Sequence, residues 1–408
     1  MATCCEAPSP SRRALLVAGG ALFAWAYLPK LASAGGARDP RLVVIILRGA
    51  LDGLSAVAPV ADPAYAALHG QIALSLGGEH PALPLDGFFA LNPAMPTFAR
   101  LYKEGHALVV HATATPYRER SHFDGQDVLE SGFPRPGNVA SGWLNRALAA
   151  LPKGERVAGK GGLAVGPSTP LIMRGPAPVL GWAPQIIPTA SEDLAARVMD
   201  LYAQRDPILL AALAKGLETE RIAARDATPR PQGGMATPAG MRAASAGAVR
   251  LLAADDGPRV AALAFDGWDT HANEGGATGR LAQLLGGLDG ALAEFEAGLQ
   301  QHWKDTAVIA ITEFGRTARI NGTTGTDHGT GTVAFLAGGA VKGGRVIADW
   351  PGLKPEDLHE QRDLKPTLDL RAVLKGLLAA QLGLPASMLA ESVFPGSGTV
   401  PPMQDLLV

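Results

Sequence analysis

The sequence predicts an α/β fold with a mainly parallel central sheet flanked by helices. Three observations predict it. Short β-branched runs without polar interruption recur along the chain, as in strands covered on both faces. Stretches with helical spacing of apolar residues lie between them, the alternation that builds parallel sheets. Several of the runs end abruptly in glycine and an acid, and ligands of open α/β sheets bind at the carboxyl ends of strands. The composition is that of a globular chain: 408 residues, 47% hydrophobic, with 36 basic against 38 acidic side chains. That near-neutral balance lacks the basic field that a nucleic-acid partner requires.

The first 34 residues read as an address rather than as fold. Ser11-Arg12-Arg13 opens an uncharged apolar run, Ala14–Leu28, followed by Lys30 and the small-residue site Ala32-Ser33-Ala34. This is the order of a cleaved signal, and the paired arginines point to twin-arginine export. The alternatives are a plain secretory signal or an uncleaved anchor. The run is shorter than the roughly 20 apolar residues that span a bilayer, so no stable membrane span is expected after cleavage. The expected location is periplasmic or secreted, with the twin-arginine machinery as a transient partner. That route carries folded proteins, which fits a cofactor loaded inside the cell. Cys4 and Cys5 are the two cysteines of the sequence, and both precede the signal. The mature chain then has neither disulfide nor thiolate ligand. Residues 35–408 are expected to form a single α/β domain.

Leu42–Leu47 is the first buried strand, and it runs into Arg48-Gly49-Ala50-Leu51-Asp52-Gly53. Asp52 reads as a turn residue on its own and gains weight because the pattern recurs. Residues 59–92 are loop-like. Pro93–Glu104 is helical, with Met95, Phe98 and Leu101 on one face and Gly105 as the stop. Ala107–Ala112 is a second strand. In the stretch Tyr117–Gly132, Ser121 is a helix N-cap with Asp124 three residues on. The same helix start could bind an anion through its free N–H groups, beside Ser121 and His122.

Ser141–Leu151 reads as a short helix, Leu163–Gly166 and Leu171–Arg174 as short strands, and residues 191–224 as helical. Arg225–Gly240 is the linker or surface-loop candidate. Val260–Phe265 is a third buried strand, ending in Asp266-Gly267-Trp268-Asp269-Thr270-His271. Arg280–His302 is an amphipathic helix built on leucines. Val308–Thr312 is the next buried strand; it ends at Glu313, and a Gly/Thr/Asn-rich loop then carries Asp327 and His328. Val333–Leu336 and Arg345–Ala348 are strands, and Asp369–Leu382 is a closing helix capped by Gly383.

A carboxylate just past a buried strand costs desolvation energy unless something pairs with it. One cation, or a network between Arg316 and the carboxylates, would satisfy Glu313, Asp327 and His328 together. Because Asp52, Asp269, His271 and Glu313 also end buried strands, a metal-centred site is the expectation. Oxygen and imidazole donors suit Zn, Mn, Mg or Ca, as one ion or two. Such a site supports hydrolysis of a phosphate or sulfate ester. Ser121 is the candidate nucleophile, His122 lies beside it, and Arg316 is the candidate to hold a non-bridging oxygen. The partner is then a small anionic ester.

The segments RGALDGL, RSHFDGQDVLESG, GWLNR, GWDTHANE, TEFGRTARINGTTGTDHG and VKGG resemble, in the same order, the family known as domain of unknown function 1501. The resemblance covers about residues 40–385. The family is similar to the alkaline phosphatase and sulfatase superfamily, which implies an alkaline phosphatase-like three-layer sandwich with two divalent ions. On that resemblance Asp52 matches the first-strand metal Asp, Ser121 lies in the nucleophile region, and Asp269 with His271 matches a metal pair at tighter spacing. His328 matches the late metal His, with Asp327 an extra acid. Glu313 stands where an Asp-His dipeptide is expected, followed here by Phe314. The resemblance implies a hydrolase, or a non-catalytic periplasmic binding or assembly protein that keeps the fold and a metal site.

Overall fold

The computed structural model describes residues 38–152, 161–184, 192–223 and 234–408. The expected leader at residues 1–34 and most of the expected loop at 225–240 lie outside the described residues. Residues 40–408 form one compact unit.

Among the described residues, nine strands make the main sheet. They are β1 (Arg41–Arg48), β2 (Ala107–Ala114), β3 (Gly162–Val165), β4 (Val179–Trp182), β5 (Val260–Asp266), β6 (Thr306–Ile311), β7 (Thr332–Ala337), β8 (Arg345–Ile347) and β9 (Leu368–Asp369). Their order is β8-β2-β7-β6-β1-β5-β3-β4, with β9 also on β2. β7 runs antiparallel to β2 and β6, and the other pairings are parallel. The sheet is therefore mainly parallel, as the uninterrupted apolar runs predict.

The helices used below are α1 (Gly53–Ala56), α2 (Pro96–Lys103), α3 (His122–Ser131), α4 (Trp143–Ala149), α5 (Glu192–Arg205), α6 (Pro207–Ala223), α7 (Pro238–Ala253), α8 (Arg280–Leu299) and α9 (Leu370–Leu382). Strand side chains alternate between faces, so β1 feeds two cores at once. Val43, Ile45 and Leu47 pack with Phe98 and Leu101 of α2, Met241 of α7 and Leu285 of α8. Leu42, Val44 and Ile46 pack on the opposite side with Trp143 of α4 and Leu374 and Leu377 of α9. Helices thus cover both faces, and the result is a three-layer α/β sandwich. Local chemistry sets the ends of α9: the Asp369 carboxylate accepts from Arg371 N at 2.8 Å, and Gly383 closes it at φ 69°.

Some boundaries differ from the sequence reading. Leu171–Met173 is a single tight helical turn rather than a strand. The helical stretch at 191–224 is broken into α5 and α6 at Asp206-Pro207, where proline cannot continue the preceding ladder. α7 begins at Pro238, inside the expected loop, with Thr237 as its cap. β4 was not expected, because a strand of four residues at the sheet edge carries little periodicity. Among the described residues, no helix is long and apolar enough to cross a membrane.

His111 of β2 is fully buried and stacked on Phe89, with ring centroids 4.9 Å apart. Its Nε2 donates to Val57 O at 2.9 Å and its Nδ1 accepts from Ala112 N at 2.8 Å, so the ring is neutral. Burial pushes it down from 6.5 to about 4. Protons therefore bind the unfolded chain first, and stability present above about pH 6.5 is lost as pH falls toward 4. His111→Gln keeps a donor toward Val57 and should remove about 2 kcal/mol of the stability difference between about pH 7 and about pH 5. Urea unfolding at the two pH values checks this; an unchanged acid limb in the variant would refute it.

Candidate metal centre

Four donor atoms converge at the carboxyl rim of the sheet. His122 is the first residue of α3, Asp269 and His271 follow β5, and His328 follows β6. His328 Nε2 lies 2.9 Å from His122 Nε2 and 2.9 Å from His271 Nε2. Asp269 Oδ1 lies 3.4 Å from His122 Nε2, 3.1 Å from His271 Nε2 and 3.4 Å from His328 Nε2. The donor atoms of His122, Asp269 and His328 all fall within 4.8 Å of one another.

Each imidazole is aimed by a bond at its far nitrogen. His122 Nδ1 is 2.9 Å from Glu313 Oε1, His328 Nδ1 is 2.9 Å from Arg120 O, and His271 Nδ1 is 3.2 Å from Asp327 Oδ1. Each of these partners is an acceptor. The proton of each neutral ring is therefore held at Nδ1, and the Nε2 lone pairs face inward. Outer partners of this kind are the usual support of metal-ligating histidine. Glu313 is fully buried, and its Oε1 also takes Gly49 N at 2.9 Å and Gln126 Nε2 at 3.2 Å. Burial opposes its charge, but the His122 hydrogen bond holds its carboxyl below the usual range. That same bond raises His122, while burial, then the charge of His122, lowers His328. Asp327 is held low by Asn321 and then by His271.

Arg316 locks the rim from beneath. It is buried, and its Nε donates to Ala50 O at 2.8 Å, its Nη1 to Thr326 O at 3.0 Å and its Nη2 to Gly49 O at 2.8 Å. Nη2 also bonds Asp269 Oδ1. Burial would raise the Asp269 carboxyl, and this guanidinium holds it below the ordinary range. Gly49, at φ 122°, allows the approach, because a Cβ there would sit 2.4 Å from Asp269 N. Gly329 does the same on the other side, where a Cβ would fall 2.3 Å from Arg316 O.

The structure redistributes the roles expected from sequence. Asp269, His271 and His328 converge as donors. His122, expected beside the nucleophile, joins them as a donor. Glu313 and Asp327, expected as ligands, stand one shell out and hold rings. Arg316, expected to grip an anion, spends its donors on backbone carbonyls and Asp269. Asp52, expected as a ligand, turns elsewhere: Oδ1 caps α1 through Leu54 N at 2.9 Å, and Oδ2 faces His69 Nε2 at 3.3 Å. Burial works against its charge, yet His69, with hydrogen bonds from Ser55 and Glu274, brings it to about 2. Glu274 is pushed well above the carboxylate range by burial and then by Asp52. Ser121 caps α3, its Oγ accepting from Asp124 N at 3.5 Å.

Sequence reasoning missed Gln126, Asn321 and the Arg120 carbonyl. Gln126 was findable, since it lies four residues after His122 on one helix face; a backbone carbonyl has no sequence signature.

The donor set fits a divalent ion. Three imidazole nitrogens and one carboxylate favour Zn or a similar transition metal over Mg or Ca, which prefer oxygen. Phe314 packs against the donors, its ring 5.0 Å from that of His122 and 5.4 Å from that of His328, in the position where a further ligand was expected.

Fold and site together define an α/β sandwich protein with a candidate metal centre at the carboxyl rim. The chain belongs to the family described as Protein of unknown function (DUF1501), whose model matches residues 105–393. No curated protein matches it. Among solved structures, it is similar to Ps i-CgsB in complex with k-i-k-neocarrahexaose at 12% identity, over 88% of this chain and 75% of that chain, with a TM-score of 0.44. It is similar to alkaline phosphatase from the Antarctic bacterium TAB5 at 14% identity, over 73% of this chain and 92% of that one, with a TM-score of 0.34. A 2-O GAG sulfatase matches at 11% identity, over 90% of this chain and 76% of that one, with a TM-score of 0.36.

Glu313→Gln and Asp327→Asn should each weaken zinc binding about 10- to 100-fold without unfolding the chain, since outer partners carry that share of affinity. His328→Ala should abolish tight binding. Competition against a chromogenic chelator reads all three, and equal affinity in Glu313→Gln and wild type would show that Glu313 does not orient His122.

Proposed function

We propose that this chain is an exported metal-dependent hydrolase of small phosphate or sulfate esters. The observation that carries the proposal is that the donor cluster faces solvent. The side chains of His122, His328, Asp269 and His271 are 23%, 26%, 42% and 43% exposed. A site that only ties the fold together has no need of that exposure. A divalent ion held by these four residues would supply Lewis acidity toward an ester oxygen.

The residues of the chain do the rest. Glu313, Asp327 and the Arg120 carbonyl fix the direction of the rings, so the lone pairs need no reorganisation. Arg316 holds Asp269 in place. The N-terminus of α3 offers unpaired N–H groups next to His122, suited to an anionic ester. Ser121 sits at that terminus, and its single cap contact, at 3.5 Å, is at the limit of a hydrogen bond. Its hydroxyl is therefore the side-chain nucleophile that this reading offers. Export rests on the twin-arginine pattern of the leader.

A second reading is favoured by Phe314 and by the four donors, enough to fill a tetrahedral shell as in closed structural sites. In that reading the chain is a periplasmic binding or assembly protein that keeps a metal without turnover.

Metal analysis of the purified mature chain should give about one ion per chain. Turnover of aryl phosphate, phosphodiester or sulfate substrates should be lost on chelation and restored by zinc or manganese. Ser121→Ala should keep the ion and lower kcat by about 100-fold or more. A loaded protein that stays inactive on every ester class supports the second reading, and a metal-free wild type refutes both.

A further inference from the structure

A cavity of about 310 Å³ opens at the same rim of the sheet, with Asp266 in its wall three residues before Asp269. Its walls include Arg48 at the end of β1, Val165 at the end of β3, and Ala264 and Asp266 at the end of β5. The chain links these walls directly to the centre. Gly49, next after Arg48, donates to Glu313, and Trp268, two residues after Asp266, donates its N–H to Arg48 O at 3.2 Å. Adjacent strands lie about 4.8 Å apart, so the end of β3 is roughly 10 Å from that of β1. A molecule with one group at the donors could place its other end in the cavity.

The chemistry of the walls narrows that other end. Val165, Pro170, Met235 and Ala264 make them largely apolar. Arg48 Nη2 pairs with the carboxylate of Glu130 and Asp266 stands in the same wall, so the cavity has little to offer a second anion. The volume is at the small end of the roughly 300–1,000 Å³ of ligand pockets, enough for a ring or a short chain. Among the described residues of the lining, Pro167 and Ser168 are exposed.

We infer that this cavity is a subsite for the apolar half of the substrate, an aryl or alkyl group whose ester sits at the metal centre. The inference rests on the hydrolase reading and deepens it. A polar sugar ester would gain little there, whereas an aryl ester would bury its ring.

The test uses the full mature chain loaded with zinc. Isothermal titration compares phenylphosphonate with methylphosphonate, which share the anionic head and differ in the apolar group. Phenylphosphonate should bind about tenfold tighter or better. Ala264→Leu fills the cavity and Ser168→Trp narrows its mouth from an exposed loop, where folding is not at stake. Both should cut the preference to about threefold or less and leave methylphosphonate unchanged. Equal binding of the two phosphonates to wild type, or a preference that survives both variants, overturns the subsite. Failure of both phosphonates to bind overturns the hydrolase reading instead. The cavity then has its own readout in 1-naphthol, whose fluorescence should report binding to wild type that both variants lose. A naphthol that does not bind, or binds the variants equally, overturns the cavity as a ligand site.

Discussion

A single buried guanidinium holds the rim together. Arg316 reaches carbonyls of Gly49 and Ala50 after β1, of Trp268 after β5 and of Thr326 before His328. Those are three separate loops, each leaving a different part of the sheet. Carbonyls aimed at one point repel one another, and a planar cation with five donors offsets this. A lysine could not span the same set. The bond to Asp269 completes the arrangement, because it ties the loops' geometry to one of the metal donors. The glycines at 49 and 329 belong to the same constraint: backbone can come this close to backbone only where no Cβ intervenes.

Above that clamp, the arrangement of the imidazoles follows from hydrogen-bond bookkeeping alone. A neutral imidazole has one donor and one acceptor nitrogen. Tying the donor to a carboxylate or carbonyl decides where the lone pair points. Here it happens three times, with three different partners, so the inward direction of the lone pairs is a property of the whole rim. Glu313 has the strongest reason to be where it is. A fully buried carboxylate is costly, and four contacts surround it: Gly49 N, Gln126, His122 and the Thr312 hydroxyl.

Much of this is legible in the sequence. The uninterrupted apolar runs marked β1, β2, β5, β6 and β7, and the acids and histidines at their ends marked the rim. The sequence could not say which shell each residue occupies. Glu313, Asp327 and Asp52 all follow buried strands, yet one orients His122, one orients His271 and one caps α1. A side chain's direction depends on loop geometry that no periodicity encodes. The sequence sets His122 beside Ser121, whose capping pattern draws attention to the hydroxyl, and the fold turns its Nε2 toward His328. The antiparallel direction of β7 was hidden too, because a buried run reads the same in either direction. The Ala/Gly-rich start of α7 gave little amphipathic signal against the prolines before it.

Charge is the remaining argument for an ion rather than a purely structural network. Asp269, Glu313 and Asp327 are all held in the ionised form, each below its ordinary carboxyl value. Among the groups bonded directly to the three rings and to Asp269, Arg316 is the cation that answers them. With neutral rings, the three carboxylates outnumber the cations that act on them, Arg316 at Asp269 and Arg362 near Asp327. A divalent ion would offset that excess and use the Nε2 lone pairs at once. A proton on His122 Nε2 donated to His328 Nε2 would satisfy one of the two 2.9 Å contacts, and the His271–His328 contact would still need its own. At that separation two lone pairs also repel. A shared cation would make every contact in the cluster attractive at once, and this is the electrostatic support for the metal-dependent reading.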